Sequence, residues 1–261
     1  MLRLLKWAGT LLLVLVLGVT AVAFLGPVTQ VDLPARFNSE TIGADLDAWI
    51  AEQEQAFPKI VPGTEKRVIW AGAEGARTPT AVVYLHGFSG SAVDIKPVPD
   101  LVAEALGANL FYTRLTGHGL DGRALGSATP EDWIEDTAEA LAIGRRLGDN
   151  VLVIGTSTGG TLATMAMADP QLSEDVAGLV LISPNFRIKS STARILDLGF
   201  ASIWAPLLMG AEYSTTPTSQ DHATYWTTTY PSSALLQVAA LVRAALTLDP
   251  STIEVPLLVL Y

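Results

Sequence analysis

The sequence predicts an α/β fold: a mostly parallel sheet covered by helices on both faces, preceded by an apolar N-terminal helix and interrupted late by a helical cap. Three observations predict it. From residue 67 onward, short runs that are apolar throughout alternate with longer helical patterns, as expected for strands buried on both faces between crossover helices. The alternation fails between Phe186 and Asp249, where aromatics, Ser and Thr dominate and Pro206, Pro217 and Pro231 punctuate the chain. At the N-terminus, Arg3 and Lys6 are followed by a stretch to Val31 without charge.

The apolar part of that stretch, Trp7 to Leu25, approaches the roughly 20 residues that span a bilayer as a helix. A retained signal anchor is favoured, because the apolar core of a cleavable signal is only about 7 to 15 residues long. Ala21-Val22-Ala23 keeps open the rival, a cleaved signal peptide. With its positive charges ahead of the helix, the N-terminus is expected in the cytoplasm and the rest exported, periplasmic or extracytoplasmic. Cleavage would make the protein secreted.

Residues 1–26 are thus the anchor or signal segment and 27–66 a linker and amphipathic helix. Pro27 and Pro34 break the first helix. Asn38 or Ser39 caps a helix over about 40–57, with Ile42, Leu46, Trp49, Ile50 and Phe57 on one face. Pro58 ends it. Strands are expected at 67–71, 81–85, 109–115, 150–155, 178–183 and 256–261, and helices at 97–107, 130–147 and 157–168. Thr129, Pro130, Glu131 and Asp132 supply a capping hydroxyl, a first-turn proline and acids at the positive helix end. The core is then 67–185 with 250–261, and the cap 186–249.

Composition narrows the function. Of 261 residues, 49% are hydrophobic and 16% charged, enough for one domain with a sizeable core. The net charge of −10 and a pI near 4.7, with no Lys/Arg cluster beyond the first six residues, argue against nucleic acid as a partner. There are no cysteines, which excludes disulfides, thiolate metal sites and cysteine nucleophiles. His86, His118 and His222 are the only imidazoles.

"VIGTSTGG" at 153–160 contains GxSxG after a β-branched run and before a helical one. In such an elbow the serine adopts a strained backbone, and the residues two before and two after must be small. Gly155 and Gly159 satisfy that, and Gly160 adds clearance. The competing reading makes Ser157 the N-cap of an inert turn. "YLHGFSG" at 84–90 follows the second strand. Its His86-Gly87 pair lets the chain turn sharply and aim the Phe88 N–H toward the elbow, where it would join the Thr158 N–H as an oxyanion hole. One such donor is worth about 10²- to 10³-fold in rate.

With these motifs in place, together with "RLTGHG" at 114–119 and "LVLISP" at 179–184, the chain resembles the α/β-hydrolase family. The likeness is to its group of serine carboxylesterases and monoacylglycerol lipases with a helical cap. The resemblance implies that Ser157 attacks an ester carbonyl to form an acyl-enzyme, that Phe88 and Thr158 hold the oxyanion, and that no metal or organic cofactor is needed. Thr158 departs from the larger apolar residue common there, but only its N–H is required. The substrate implied is a small-molecule ester or a lipid, with monoacylglycerols among the lipids. The aromatic cap suits an apolar acyl chain, although its own packing accounts for the aromatics equally.

The resemblance also implies an acid after the 256–261 strand and a histidine one helix and strand later, both past Tyr261. A piece of a longer hydrolase is therefore expected. A degenerate relative acting only as a membrane-associated binding protein is the alternative, and a third reading recruits His222, beside Asp221, as a substitute base. His86 and His118 stand where the family has residues that are not the base.

Overall fold

The computed structural model describes residues 2–33, 37–57, 59–187 and 196–261. Pro34, Pro58 and cap residues 188–195 lie outside the described residues. The first element, α1 (Leu2–Leu25), contains an apolar stretch, Lys6–Leu25, of mean hydropathy 2.5 with none of it buried. Its length and composition are those of a membrane span or a signal sequence.

The helix expected over 40–57 is divided. Asn38 caps only a short 3-10 turn, Ser39–Thr41, and α2 (Leu46–Gln55) starts afresh behind Asp45, whose side chain accepts the Ala48 N–H. Gly43 is a poor helix residue, and an Asp at the next boundary offers its own capping bond, so the chain restarts there. Ile42, Leu46 and Ile50 are buried as the periodicity predicted, whereas Phe57 stays 40% exposed.

The remaining elements are β1 (Arg67–Ile69), β2 (Thr78–Leu85), α3 (Val98–Leu106), β3 (Asn109–Tyr112), α4 (Gly122–Ser127), α5 (Pro130–Leu147), β4 (Gly148–Thr156), α6 (Thr158–Met167) and β5 (Val176–Ile182). After them come α7 (Ala201–Met209), β6 (Glu212–Ser214), α8 (Gln220–Tyr225), β7 (Thr229–Pro231), α9 (Ser233–Ala245) and β8 (Leu257–Leu260). The six-stranded sheet runs β1-β3-β2-β4-β5-β8. It is parallel except that β1 pairs antiparallel with β3.

Side chains alternate across it with the strand period of two. Ala81, Val83 and Leu85 of β2 face α5 and α6 in one core cluster. Val82 and Tyr84 face α3 in another. The strand expected to reach residue 115 ends at Tyr112: Thr113 N–H still donates to Tyr84 O (3.2 Å), and beyond it side chains take the donors, Leu115 N–H going to His86 Nε2 (3.0 Å) and Thr116 N–H to Asp136 Oδ2 (2.5 Å). At α5, Thr129 and Asp132 close a reciprocal capping box.

Between β5 and β8 the chain leaves the sheet, but not all of that stretch lies apart from the core. Val238, Leu241 and Val242 of α9 pack on Leu162 and Met165 of α6. With Trp133 and Ile134 of α5 in the same cluster, α9 lies against the α5–α6 helix pair.

Candidate active site

The strand β4 ends at Thr156 and α6 begins at Thr158, which leaves Ser157 alone in the turn. Its backbone sits at φ 50°, ψ −116°, a region that costs a non-glycine residue roughly 1–3 kcal/mol and persists only when its surroundings hold it. Those surroundings are specific. Ser157 N–H donates to Ile182 O (3.0 Å), and Ser157 O accepts from Asn185 N–H (3.0 Å) and Thr161 N–H (3.2 Å).

Glycine is required around it by contact. A Cβ at Gly155 would lie 2.7 Å from Gly159 O, one at Gly159 would lie 2.1 Å from Leu85 O, and one at Gly160 would lie 3.0 Å from Pro184 Cβ. The helix start is therefore pressed against the end of β2. That closeness brings the second motif to the first: a Cβ on Gly87 would come 3.3 Å from Ser157 Cβ. Among the described residues, the Phe88 and Thr158 amides have no protein acceptor. The Thr158 hydroxyl, buried beside them, also lacks a partner.

Two histidines support this arrangement from below. His86 Nε2 accepts the Leu115 N–H at 3.0 Å and its Nδ1 meets Gly87 O at 2.9 Å. His118 Nε2 accepts the Ser89 N–H at 3.1 Å and its Nδ1 meets Thr116 O at 3.1 Å. In each ring the accepting Nε2 assigns the proton to Nδ1, the neutral tautomer. Burial agrees with that state. It lowers His86 to about 4 against the pull of the Gly87 carbonyl, and it holds His118 well below the usual imidazole range, with His86 adding to the effect. Both rings act as fixed clamps on the 86–89 turn, and neither is hydrogen-bonded to Ser157.

His222 lies elsewhere. Its Nδ1 accepts the Thr218 N–H at 3.1 Å, so the proton of the neutral ring sits on Nε2, and Trp226 packs against it edge-on at 5.2 Å. With Asp94, Lys96, Asp221 and Trp226 it lines a cavity of about 780 Å³ whose lining does not include Ser157. Among the described residues, no hydrogen bond joins His222 to Ser157 or to Asp221.

Four site-supporting residues were not found by sequence reasoning: Glu54, Asp94, Arg114 and Asp136. Asp94 Oδ2 accepts the Gly87 N–H at 3.0 Å, and its other oxygen is bonded by the Tyr84 hydroxyl. Burial raises its carboxyl to about 6, against the opposing pull of those bonds. The available signal was a lone charge in an apolar stretch, as with Arg114 in "NLFYTRL". Nothing local names its partner.

A serine turn at the carboxyl end of a parallel strand, abutting a second turn with a free amide, defines the hydrolytic class of α/β enzymes. A family model confirms the class: residues 82–260 match that of the alpha/beta hydrolase family, and this chain belongs to it, a family with lipase- and esterase-like members. A curated relative, the thermostable monoacylglycerol lipase of Bacillus sp. (strain H-257), is 27% identical over an alignment covering 60% of this chain and 66% of the relative. The chain therefore spans just under two thirds of that relative's length.

Solved structures share the fold. One reported for the metagenome-derived lipolytic enzymes LipS and LipT has a TM-score of 0.59 at 22% identity, covering 77% of this chain and 76% of the other. The Paleococcus ferrophilus monoacylglycerol lipase has a TM-score of 0.53 at 15% identity, covering 74% of this chain and 75% of its own.

Proposed function

We propose that the protein is a membrane-anchored, exported serine hydrolase that cleaves carboxylic esters, lipid or monoacylglycerol esters among them, through an acyl-enzyme on Ser157. The observation that carries this reading is the strained Ser157 backbone at φ 50° set against Gly87. Strain of this kind persists where a side chain must be presented. In the proposed reaction Ser157 Oγ attacks the ester carbonyl while the Phe88 and Thr158 amides receive the developing oxyanion. The alcohol then leaves, and water hydrolyses the acyl-enzyme to release the acid. In the geometry seen, both ring nitrogens of His86 and of His118 are engaged, and among the described residues no hydrogen bond joins His222 to Ser157, so none of the three serves Ser157 as base. The resemblance assigns that role to a histidine following β8.

The ester substrate is supported by the relatives' lipolytic activities. The anchor is supported by α1, whose end meets the residues leading into α7: Gly199 N–H donates to Ala23 O (2.7 Å) and Phe200 N–H to Pro27 O (2.8 Å). Beside it α7 exposes Ile203, Leu207 and Leu208, apolar surface suited to a lipid boundary. We place the anchor at 1–26, the linker and amphipathic helix at 27–66, the hydrolase core at 67–185 and 250–261, and the cap at 186–249, its α9 packed on α6.

A fluorophosphonate probe on the native protein tests the reading, with covalent labelling expected to vanish in Ser157→Ala. A folded protein that takes no label would instead support a non-catalytic membrane-associated binding protein. Fractionation of a form lacking residues 1–26 tests the anchor, and persistence in the membrane fraction would refute it.

A further inference from the structure

The two halves of the site are joined by a side-chain bridge that uses neither the serine nor a histidine. Asp94 Oδ2 accepts the Gly87 N–H at 3.0 Å, and Asp94 Oδ1 is bonded by the Tyr84 hydroxyl. That hydroxyl also lies 3.2 Å from Thr156 Oγ1, the residue before Ser157. Tyr84 is fully buried on β2. The bridge therefore runs from the oxyanion turn through Asp94 and Tyr84 to the end of β4.

Gly87 is where such a restraint matters. Glycine has the widest backbone freedom of any residue, and the peptide that carries the Phe88 N–H begins at its carbonyl. That carbonyl is held by His86 Nδ1 (2.9 Å) and the Gly90 N–H (3.2 Å). Asp94 holds the other end, the Gly87 N–H. It also packs close: Cβ atoms built on Gly87 and Gly90 would lie 3.5 Å and 3.1 Å from Asp94 Oδ2.

We propose that Asp94 is a positioning residue for the oxyanion turn, pinning Gly87 so that the Phe88 amide faces Ser157 and tying that turn to Thr156 through Tyr84. This rests on the reading of Ser157 and Phe88 given above. An amide oxygen accepts the same N–H, so Asp94→Asn should preserve the role, whereas Asp94→Ala removes it.

The experiment compares native protein, Asp94→Ala and Asp94→Asn on p-nitrophenyl butyrate, and follows backbone hydrogen exchange in all three. Asp94→Ala is expected to lower kcat about 10- to 100-fold with KM within about twofold, in the range of a misaligned oxyanion donor. Asp94→Asn should recover to within about fivefold of native. Exchange over residues 84–90 should quicken in Asp94→Ala alone. An active native enzyme whose kcat is unchanged by Asp94→Ala overturns the proposal, as does unchanged exchange at 84–90. Exchange that quickens across the whole fold would mean a merely structural role and also overturns it. If the native protein neither turns over nor labels, the hydrolase reading fails, while the exchange measurement still decides whether Asp94 holds the turn.

Discussion

Arg114, just past β3, grips Glu54 of α2 through two parallel bonds, Nε to Oε2 at 2.9 Å and Nη2 to Oε1 at 2.7 Å. The side chains are 2% and 9% exposed. The free arm of the guanidinium donates to His118 O at 3.2 Å, and the His118 ring accepts from Ser89. An N-terminal helix is thereby connected to the candidate oxyanion turn by a buried charge pair.

Removing one member of such a pair strands the other charge in the interior. Glu54→Ala is expected to cost about 3–5 kcal/mol, and replacing both partners by apolar residues of similar volume should recover most of it. Urea denaturation of the single and double variants measures both. A loss below about 1 kcal/mol in Glu54→Ala would place the pair among ordinary surface bridges.

The elbow predicts two substitutions of opposite sign. A methyl at Gly159 would meet the Leu85 carbonyl carbon at 2.5 Å and oxygen at 2.1 Å, so Gly159→Ala should destabilise by more than about 3 kcal/mol or prevent folding, as overpacking against backbone does. Ser157→Gly relieves the positive φ and is expected to raise stability by about 1 kcal/mol. Thermal melts read both effects, and a Ser157→Gly variant less stable than native would contradict the strain assignment.

At Thr158 the proposed role lies in the backbone. Among the described residues its hydroxyl is buried without a partner, a condition that costs about 1–3 kcal/mol. Thr158→Val keeps the amide and should stabilise the fold by about 1 kcal/mol with turnover retained. Loss of activity in a stable Thr158→Val variant would transfer the role to the hydroxyl.

The buried acids and the histidines oppose one another with pH. Burial holds folded His86 at about 4 against an ordinary 6.5. Between those values the unfolded chain binds the extra proton, so this group's contribution falls as pH drops from about 6.5 to about 4. Asp136, raised to about 6 by burial despite Lys66, and Asp94, also raised to about 6 by burial, run the other way from an ordinary 3.8. Between about 6 and 3.8 the folded state holds the extra protons, and stability rises with acidity. His118, also held well below the ordinary imidazole range by burial, loses stability in the same direction as His86, so two histidines oppose two acids and stability of the native protein should vary little across that window. Asp94→Asn combined with Asp136→Asn should expose a loss of at least about 3 kcal/mol on acidification, the share of His86 alone. A flat profile in that double variant would show that His86 accepts a proton in place.

The fold class, the sheet and the elbow were legible in the sequence because they rest on local rules. Buried parallel strands are apolar throughout, Thr129 to Asp132 carry their own cap, and the glycines around Ser157 are demanded by the turn they sit in. Boundaries were lost wherever a distant side chain decided them. The third strand stops short of residue 115 because His86 and Asp136 claim the Leu115 and Thr116 donors, and α9 joins the core because its apolar face meets α6. Arg114 illustrates the same limit, since a lone charge in the apolar run NLFYTRL announces that a partner exists without saying where, while Glu54, amid Glu52, Gln53 and Gln55, carries no such local signal. The sequence by itself determined the apolar strands, the cap of α5 and the glycine-flanked turn at Ser157. Tertiary structure alone decided which buried charges pair and which side chains brace the turns, because Glu54 meets Arg114 and Asp136 meets the Thr116 amide across elements far apart in the chain, and no local spacing relates them.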